Sequence, residues 1–264
     1  MPDTPHFFVG FVEDAVKELV LEVAANPLSH FSEKTLQLRL SSRLLKIPDL
    51  STPLPTGIAE RYRRELELIC GEEHLRGRDI AGCVGRVYSV PPLQMEYGNN
   101  LSGSYRIDIA ILDPNDIGGI IYPLSLQNAR KKYLVPVVGV EFGTEKSLWT
   151  NMQTHLSNDA MKVTECRHGY AVNVMRNPNF TRRSKPRAKD KDAQMDRFRQ
   201  QMTQHAAKFP SITWIGLILN LAFVDVELFL SENAWETFDV SNGVRILEER
   251  LDKWRMRPRT LTCT

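Results

Sequence analysis

The chain has 264 residues, of which 42% are apolar and 25% are charged, and its formal net charge is +2. These values are typical of a globular protein with a sizeable buried core. Because the net charge is close to zero, affinity for a polyanion would have to come from a local cluster of basic residues. The four cysteines form no CxxC pair and have no histidine at zinc-ligand spacing, which argues against a structural zinc or a disulfide framework.

Several classes of protein are disfavoured by motifs that the sequence lacks. No run of about 18 apolar residues occurs, and the first ten residues lack the charged start and apolar stretch of a signal peptide. Neither GxxxxGK[ST] nor GxGxxG is present, which disfavours an ATP-driven or dinucleotide-dependent enzyme. We therefore expect a soluble, cytoplasmic protein with no membrane partner.

Helical periodicity marks the first part of the chain. Apolar residues at helical spacing predict a first helix ending at Ala25 and a second helix that starts after the N-cap Ser32. Glu33 lies in the same helical phase as the second helix's apolar stripe, so its carboxylate is predicted to point inward. The alternative is that Glu33 only complements the helix dipole. The apolar stripe consists of Leu36, Leu40 and Leu44.

The remaining elements follow from changes in period. Residues 51–57, which hold two prolines, predict a loop, and residues 58–69 predict a third helix. Further helices are predicted over residues 148–163, 192–208 and 243–254, and residues 113–132 fit either a loop or an added hairpin. Apolar, strand-like runs predict strands over residues 84–90, 93–97, 105–112, 135–142, 170–175 and 212–219.

Asp108 and Glu141 each stand within an apolar, strand-like run. Burying one unpaired charge costs several kcal/mol, and two converging carboxylates repel each other unless a cation lies between them. The pattern therefore favours a divalent-metal site. The alternative is that Asp108 pairs with Arg106 at a strand end and Glu141 caps its strand.

The strongest local charge imbalance lies between residues 176 and 191, where seven basic residues face the single acid Asp190. The functional interpretation is an arm that contacts phosphates, each contact releasing counterions. The alternative is a solvated surface loop. The residues that we expect to contact nucleic acid are Arg182, Arg183, Lys185 and Arg187.

The order of these features resembles that of the PD-(D/E)XK nuclease superfamily. A helix carries Glu33, one strand carries Asp108, the next carries Glu141, and a further helix and strand follow. The resemblance covers about residues 33–176. Its residues are Arg106-Ile107-Asp108-Ile109, Val140-Glu141-Phe142-Gly143, then Gln153, His155-Leu156, Asp159 and Lys162 on the helix, and Gly169-Tyr170 before the last strand.

The resemblance implies a fold and an activity. The fold would be α/β and restriction-endonuclease-like, with a mixed sheet flanked by helices. One domain would span residues 1–264, with a helical part at 1–75, the catalytic core at 80–220 and an extension at 221–264. The activity would be Mg²⁺-dependent hydrolysis of DNA phosphodiester bonds, with Mn²⁺ able to substitute. Asp108 and Glu141 would be metal-binding catalytic residues, and Glu33 would support the metal.

The chain departs from the family pattern at Gly143, where members usually carry a lysine that orients the attacking water. Families in this superfamily relocate that lysine, and Lys146 and Lys162 are the candidate catalytic replacements here. If neither reaches the acids, the chain would be an inactive nuclease-fold protein that binds nucleic acid or a protein partner. A third interpretation is a metal-independent protein whose acids form salt bridges with Arg106 and Lys162.

Other features leave alternatives open. His155 and Asp159 lie one helical turn apart and could act as an acid–base pair or form a structural hydrogen bond between helix and sheet. DNA is the expected partner, and the sequence does not distinguish it from RNA. A homodimer is expected if both strands of a duplex are cut.

Overall fold

The computed structural model describes residues 4–26, 32–57, 87–98, 106–119, 135–176, 188–220, 225–231 and 234–255. The predicted helix at 58–69, the first residues of the predicted strand at 84–90 and the basic residues between 182 and 187 lie outside the described residues.

The described residues form seven helices and nine strands. The helices are α1 (Thr4–Ala25), α2 (Glu33–Leu44), α3 (Pro48–Ser51), α4 (Pro114–Gly119), α5 (Glu145–Val163), α6 (Ala188–Lys208) and α7 (Arg245–Arg255). The strands are β1 (Leu54–Gly57), β2 (Val87–Val90), β3 (Leu93–Gly98), β4 (Arg106–Ile111), β5 (Val138–Thr144), β6 (His168–Arg176), β7 (Ile212–Asn220), β8 (Asp225–Leu230) and β9 (Glu236–Asp239). In the described part of the chain, no helix is long and apolar enough to cross a membrane.

Strands β3 to β9 form one mixed sheet of seven strands, arranged in their order along the chain. Strands β5, β6 and β7 are parallel, whereas all other neighbours in this sheet are antiparallel. Helix α5 connects β5 to β6, and α6 lies between β6 and β7, as parallel neighbours require. The predicted α/β class with a mixed sheet is therefore confirmed.

Helices cover both faces of this sheet. Residues of α1, α2 and α7 share one buried apolar cluster with Val140 and Phe142 of β5. Residues of α5 and α6 share the other cluster with Ala171 of β6 and Trp214 of β7. Because neighbouring residues of a strand point to opposite faces, Glu141 lies between two residues of the first cluster and points toward α5.

The local sequence explains why α2 begins and packs as it does. Ser32 is the N-cap, and its hydroxyl accepts a hydrogen bond from the Thr35 N–H at 3.1 Å. The predicted stripe of Leu36, Leu40 and Leu44 is fully buried. The sequence prediction of this helix and its cap is confirmed.

One sequence prediction needs correction. The segment predicted as a loop at 51–57 instead contains the end of α3 and strand β1, which pairs antiparallel with β2 in a separate two-stranded sheet. Pro55 is tolerated there because a strand of such a small sheet has an open edge that needs no N–H donor. In the C-terminal part, β8 and β9 pair onto β7 and so continue the core sheet.

Candidate active site where two strands separate

The pairing of β4 with β5 ends immediately before Asp108 and Glu141. The register runs from Ile111 opposite Val138 to Ile109 opposite Val140. Beyond that point, carboxylate oxygens accept hydrogen bonds from the backbone. The Asp108 N–H donates to Glu141 Oε1 at 3.1 Å, and the Phe142 N–H donates to Asp108 Oδ2 at 2.9 Å. Each carboxylate is thus held by a backbone N–H from the opposite strand.

Both acids are more basic than a carboxylate in water. Burial raises the pKa of Asp108 to about 6, even though the Phe142 N–H and Lys162 lower it. Burial also raises the pKa of Glu141 well above its usual range, and the negative charges of Asp108 and Asp159 add to this effect. Both carboxyl groups therefore hold a proton more readily than a carboxyl group in water, because the nearby Lys162 offsets the effect of burial only in part.

Lys162 is the cation that contacts Glu141 of this pair. Its Nζ donates to Glu141 Oε2 at 2.7 Å and lies 3.8 Å from Asp159 Oδ1. Burial lowers the pKa of Lys162, but the ion pair with Glu141 and the fields of Asp159 and Asp108 outweigh it, so the net pKa is raised. The ammonium therefore remains charged at neutral pH. Lys146 lies in the first turn of α5, and its side chain is outside the described residues.

His155, Asp159 and Lys162 lie on one face of α5, spaced four and three residues apart. His155 Nε2 is 3.2 Å from Asp159 Oδ2 and 3.8 Å from Glu33 Oε1. These atoms are close but not aligned for hydrogen bonds, and all three are buried without a hydrogen-bond partner in the described structure. Burial lowers the pKa of His155 and raises that of Asp159 well above its usual range, so the imidazole is neutral at pH 7.

Gly143 has no space for a side chain. A Cβ added there would lie 2.2 Å from Asn173 Oδ1 and 2.9 Å from His155 Nε2. Asn173 lies beside Gly143 on β6, is fully buried, and neither of its amide atoms has a hydrogen-bond partner among the described residues. The position that carries a lysine in the resembling family is thus filled here by side chains from β6 and α5.

The structure brings together most of the residues predicted for the core of the site. Glu141 contacts both Asp108 and Lys162, whereas Glu33 lies 3.8 Å from His155, with its side chain 40% exposed while its Oε1 is buried. No described ion pair joins Asp108 to Arg106, so that alternative for Asp108 is not supported. The predicted nucleic-acid contacts Arg182, Arg183, Lys185 and Arg187 lie outside the described residues.

Two residues of this site were missed by the sequence analysis. Asn173 could have been suspected, because it is an amide inside the otherwise apolar run of β6. Gln37 could also have been found, since it lies one helical turn after Glu33 and is 1% exposed. Its Nε2 donates to the Asp108 carbonyl oxygen at 2.6 Å.

In the described part of the chain, no three His, Cys, Asp or Glu side chains are grouped in a way that could hold a metal ion. Comparison of the chain with models of protein families gave no match, and comparisons with curated proteins and with solved structures gave none either. The chemistry of the site is therefore the basis for assigning a function.

Proposed function

We propose that this protein is a metal-dependent nuclease that hydrolyses DNA phosphodiester bonds. The observation that carries the proposal is the contact of Asp108, Glu141 and Lys162 at the point where β4 and β5 separate. The order of α2, β4, β5, α5 and β6 also agrees with the order of helix, acidic strands, helix and strand in the PD-(D/E)XK superfamily.

The chemical type of these side chains, rather than their spacing in the described structure, suits a hard divalent cation. Four carboxylates belong to the same electrostatic network, whereas the half-buried Lys162 is its one cation among the described residues and His155 is neutral. Carboxylate oxygens are the ligands that Mg²⁺ prefers, and a bound cation would lower the pKa values of Asp108, Glu141 and Asp159, which burial raises. The four carboxylates are those of Glu33, Asp108, Glu141 and Asp159.

In this proposal Asp108 and Glu141 hold Mg²⁺ or Mn²⁺, and Glu33 supports it. A bound divalent ion polarises a phosphoryl oxygen and lowers the pKa of a bound water. The chain's own contribution is to fix the two carboxylates through backbone N–H groups and to exclude bulk water from Glu141, which is 1% exposed.

In this proposal Lys162 replaces, in function, the lysine that is absent at Gly143. Its ammonium carries three N–H donors, one of which is used by Glu141 Oε2. The others are available, in this proposal, to orient an attacking water and to stabilise negative charge on the phosphate. A lysine on a neighbouring helix is required because Asn173 and His155 close the space at residue 143.

Substrate binding is assigned to the basic residues between 176 and 191. Phosphate contacts would position the backbone without reading its sequence, so we propose DNA as the substrate and leave RNA as an outcome of the test. Cutting both strands of a duplex would be served by a homodimer. The residues that we propose for these contacts are Arg182, Arg183, Lys185 and Arg187.

A second candidate function is a nuclease-fold protein that binds nucleic acid or a protein partner without cutting. The observation that favours it is the direct ion pair between Glu141 and Lys162, which satisfies both groups without a metal. This alternative predicts salt-sensitive binding of nucleic acid, or binding of a protein partner, with no cleavage and no change of melting temperature on addition of Mg²⁺.

The deciding experiment is cleavage of supercoiled plasmid, single-stranded DNA and RNA in Mg²⁺, in Mn²⁺ and in EDTA. The wild type is compared with Asp108→Ala and Glu141→Ala, and with Asp116→Ala as a control acid on α4 that pairs with Arg167 outside the site. The proposal predicts metal-dependent cutting that both site variants lose and the control keeps. Retained binding of nucleic acid without any cutting would support the second candidate function and overturn the first.

A further inference from the structure

Glu96 faces Asp108 across the β3–β4 register, yet the two residues do not pair. The neighbouring pairs, Met95 with Ile109 and Tyr97 with Ile107, are both formed. Glu96 has a φ of 52°, which makes it the one described non-glycine residue in the left-handed region. Such a conformation inside a strand is unfavourable for a residue with a Cβ, and it persists only where the surroundings impose it.

Because Glu96 and Asp108 do not pair, the backbone groups of Asp108 form hydrogen bonds with side chains instead. Its N–H donates to Glu141 Oε1 at 3.1 Å, and its carbonyl oxygen accepts from Gln37 Nε2 at 2.6 Å. If Glu96 continued the ladder, it would compete for these backbone groups. The left-handed turn at Glu96 therefore makes the Asp108 N–H available to aim the Glu141 carboxylate.

The amide of Gln37 is held in one orientation. Its Nε2 lies 2.6 Å from the Asp108 carbonyl oxygen and 3.3 Å from Glu96 Oε1, and its Oε1 accepts from Lys34 Nζ at 3.2 Å. Lys34 Nζ also bonds to Glu96 Oε1. Because two acceptors face one end of the amide and an ammonium faces the other, a flipped amide would lose every one of these bonds.

We propose that Gln37 and the left-handed backbone of Glu96 are positioning elements for the acid pair Asp108 and Glu141. Glu96 breaks the ladder, Gln37 takes up the freed carbonyl oxygen, and the freed N–H orients the Glu141 carboxylate. The inference rests on the proposed function, because it assigns these residues to the geometry of a cation site. Neither residue is required to touch the substrate.

The first test replaces Gln37 with leucine, which removes the donor at similar volume. Groups that orient metal ligands typically change metal affinity or activity by about 10- to 100-fold when removed, and we expect a loss of that size in Mn²⁺ affinity, followed by electron paramagnetic resonance. The matched control is Ser41→Ala, one turn further along the same face of α2. Ser41 is buried, and its hydroxyl has no hydrogen-bond partner among the described residues, so its Mn²⁺ affinity should equal that of the wild type.

The second test distinguishes the effect of the Glu96 backbone conformation from the effect of its carboxylate. Glycine adopts a positive φ without strain, whereas valine opposes it. Glu96→Gly, which loses the carboxylate that faces Gln37 but keeps the positive φ, should therefore lose less Mn²⁺ affinity than Glu96→Val, whose loss should match that of Gln37→Leu. Equal behaviour of the glycine and valine variants would overturn the backbone role, and this pair decides the question even if Gln37→Leu fails to fold.

Hydrogen exchange at the Asp108 amide distinguishes failure of this inference from failure of the proposed function. Faster exchange in Gln37→Leu and Glu96→Val, with no change in Ser41→Ala, would support the positioning role even if the wild type neither binds Mn²⁺ nor cuts nucleic acid. Unchanged exchange at Asp108 would overturn the inference. Mn²⁺ binding in the wild type with unchanged affinity in Gln37→Leu would also overturn it.

Discussion

The substitution Asp108→Asn should make the metal-free protein more stable at high pH while removing its activity. Asparagine has nearly the shape of aspartate and can still accept the hydrogen bond from the Phe142 N–H, which the Asp108 carboxylate accepts at 2.9 Å. What it lacks is the negative charge. Because burial raises the pKa of Asp108 to about 6, that charge opposes folding when no cation is bound.

The size of the effect follows from the pKa. A carboxylate in the unfolded chain has a pKa near 4, and each pKa unit corresponds to about 1.4 kcal/mol, so ionised Asp108 lowers the free energy of unfolding by at most about 3 kcal/mol. A raised carboxyl pKa means that the penalty is absent below about pH 4 and is complete above about pH 7. About half of it is already present at pH 5, so the stability of Asp108→Asn relative to the wild type should rise by about 1.5 kcal/mol between pH 5 and pH 8.

Removal of the Asp108 charge acts in the same direction on its neighbour. The negative charge of Asp108 is one of the causes of the raised pKa of Glu141, after burial. Without it Glu141 ionises more easily, which further favours the variant at high pH.

The assay is urea unfolding in EDTA at pH 5 and pH 8, repeated at pH 8 with Mg²⁺. Mg²⁺ should stabilise the wild type, because a ligand that binds only the folded state raises the free energy of unfolding, and it should stabilise the variant much less. A stability difference that is the same at both pH values would refute the reasoning. An equal response of both proteins to Mg²⁺ would refute the assignment of Asp108 as a metal ligand.

Three further predictions concern other parts of the site. Lys162→Met should lower the free energy of unfolding by about 3–5 kcal/mol at pH 8, because it removes the cation that pairs with the buried Glu141. The loss should be smaller at pH 5, where Glu141 with its raised pKa takes up a proton, and urea unfolding that shows equal losses at both pH values would contradict this. Gly143→Ala should lower the free energy of unfolding by about 1–3 kcal/mol, because the added methyl group overpacks against Asn173. In a double-mutant cycle, Asn173→Ala should relieve part of that loss. Strictly additive losses in the double variant would contradict the clash. Replacement of the four basic residues by alanine should make the association constant for duplex DNA less dependent on salt. The slope of its logarithm against the logarithm of the salt concentration should fall in magnitude by about 0.9 for each lost phosphate contact. An unchanged slope would show that these residues make no phosphate contacts. These four residues are Arg182, Arg183, Lys185 and Arg187.

The apolar pattern predicted the elements that carry the site, because α2 buries one regular face and β4 and β5 lie in nearly continuous apolar runs. The apolar stripe of α2 and the apolar strands around Asp108 and Glu141 are visible in sequence and are present in the structure. Strand β1 was missed because Pro53 and Pro55 indicate a loop, although a two-stranded sheet tolerates a proline that a central strand would not. Strand β9 spans only Glu236–Asp239, too short for alternation to be distinctive.

The precise geometry of the site could not be predicted, because it depends on contacts between residues far apart in sequence. The spacing on α5 placed Lys162 on the same face as His155, but only the packing of α5 on the sheet brings its Nζ to Glu141. The closed space at Gly143 requires β5, β6 and α5 together. The left-handed conformation of Glu96 has no local signal, since glutamate is not a residue that favours positive φ.

The most direct test of a metal-dependent acid site is cleavage of supercoiled plasmid in Mg²⁺ by the wild type and by Asp108→Asn. This variant is informative because we expect it to be at least as stable as the wild type at pH 8, so a loss of activity cannot be attributed to unfolding. We predict that the wild type cuts in Mg²⁺ and not in EDTA, and that the folded variant does not cut. Cleavage by the variant at the rate of the wild type, or cleavage that persists in EDTA, would contradict the account.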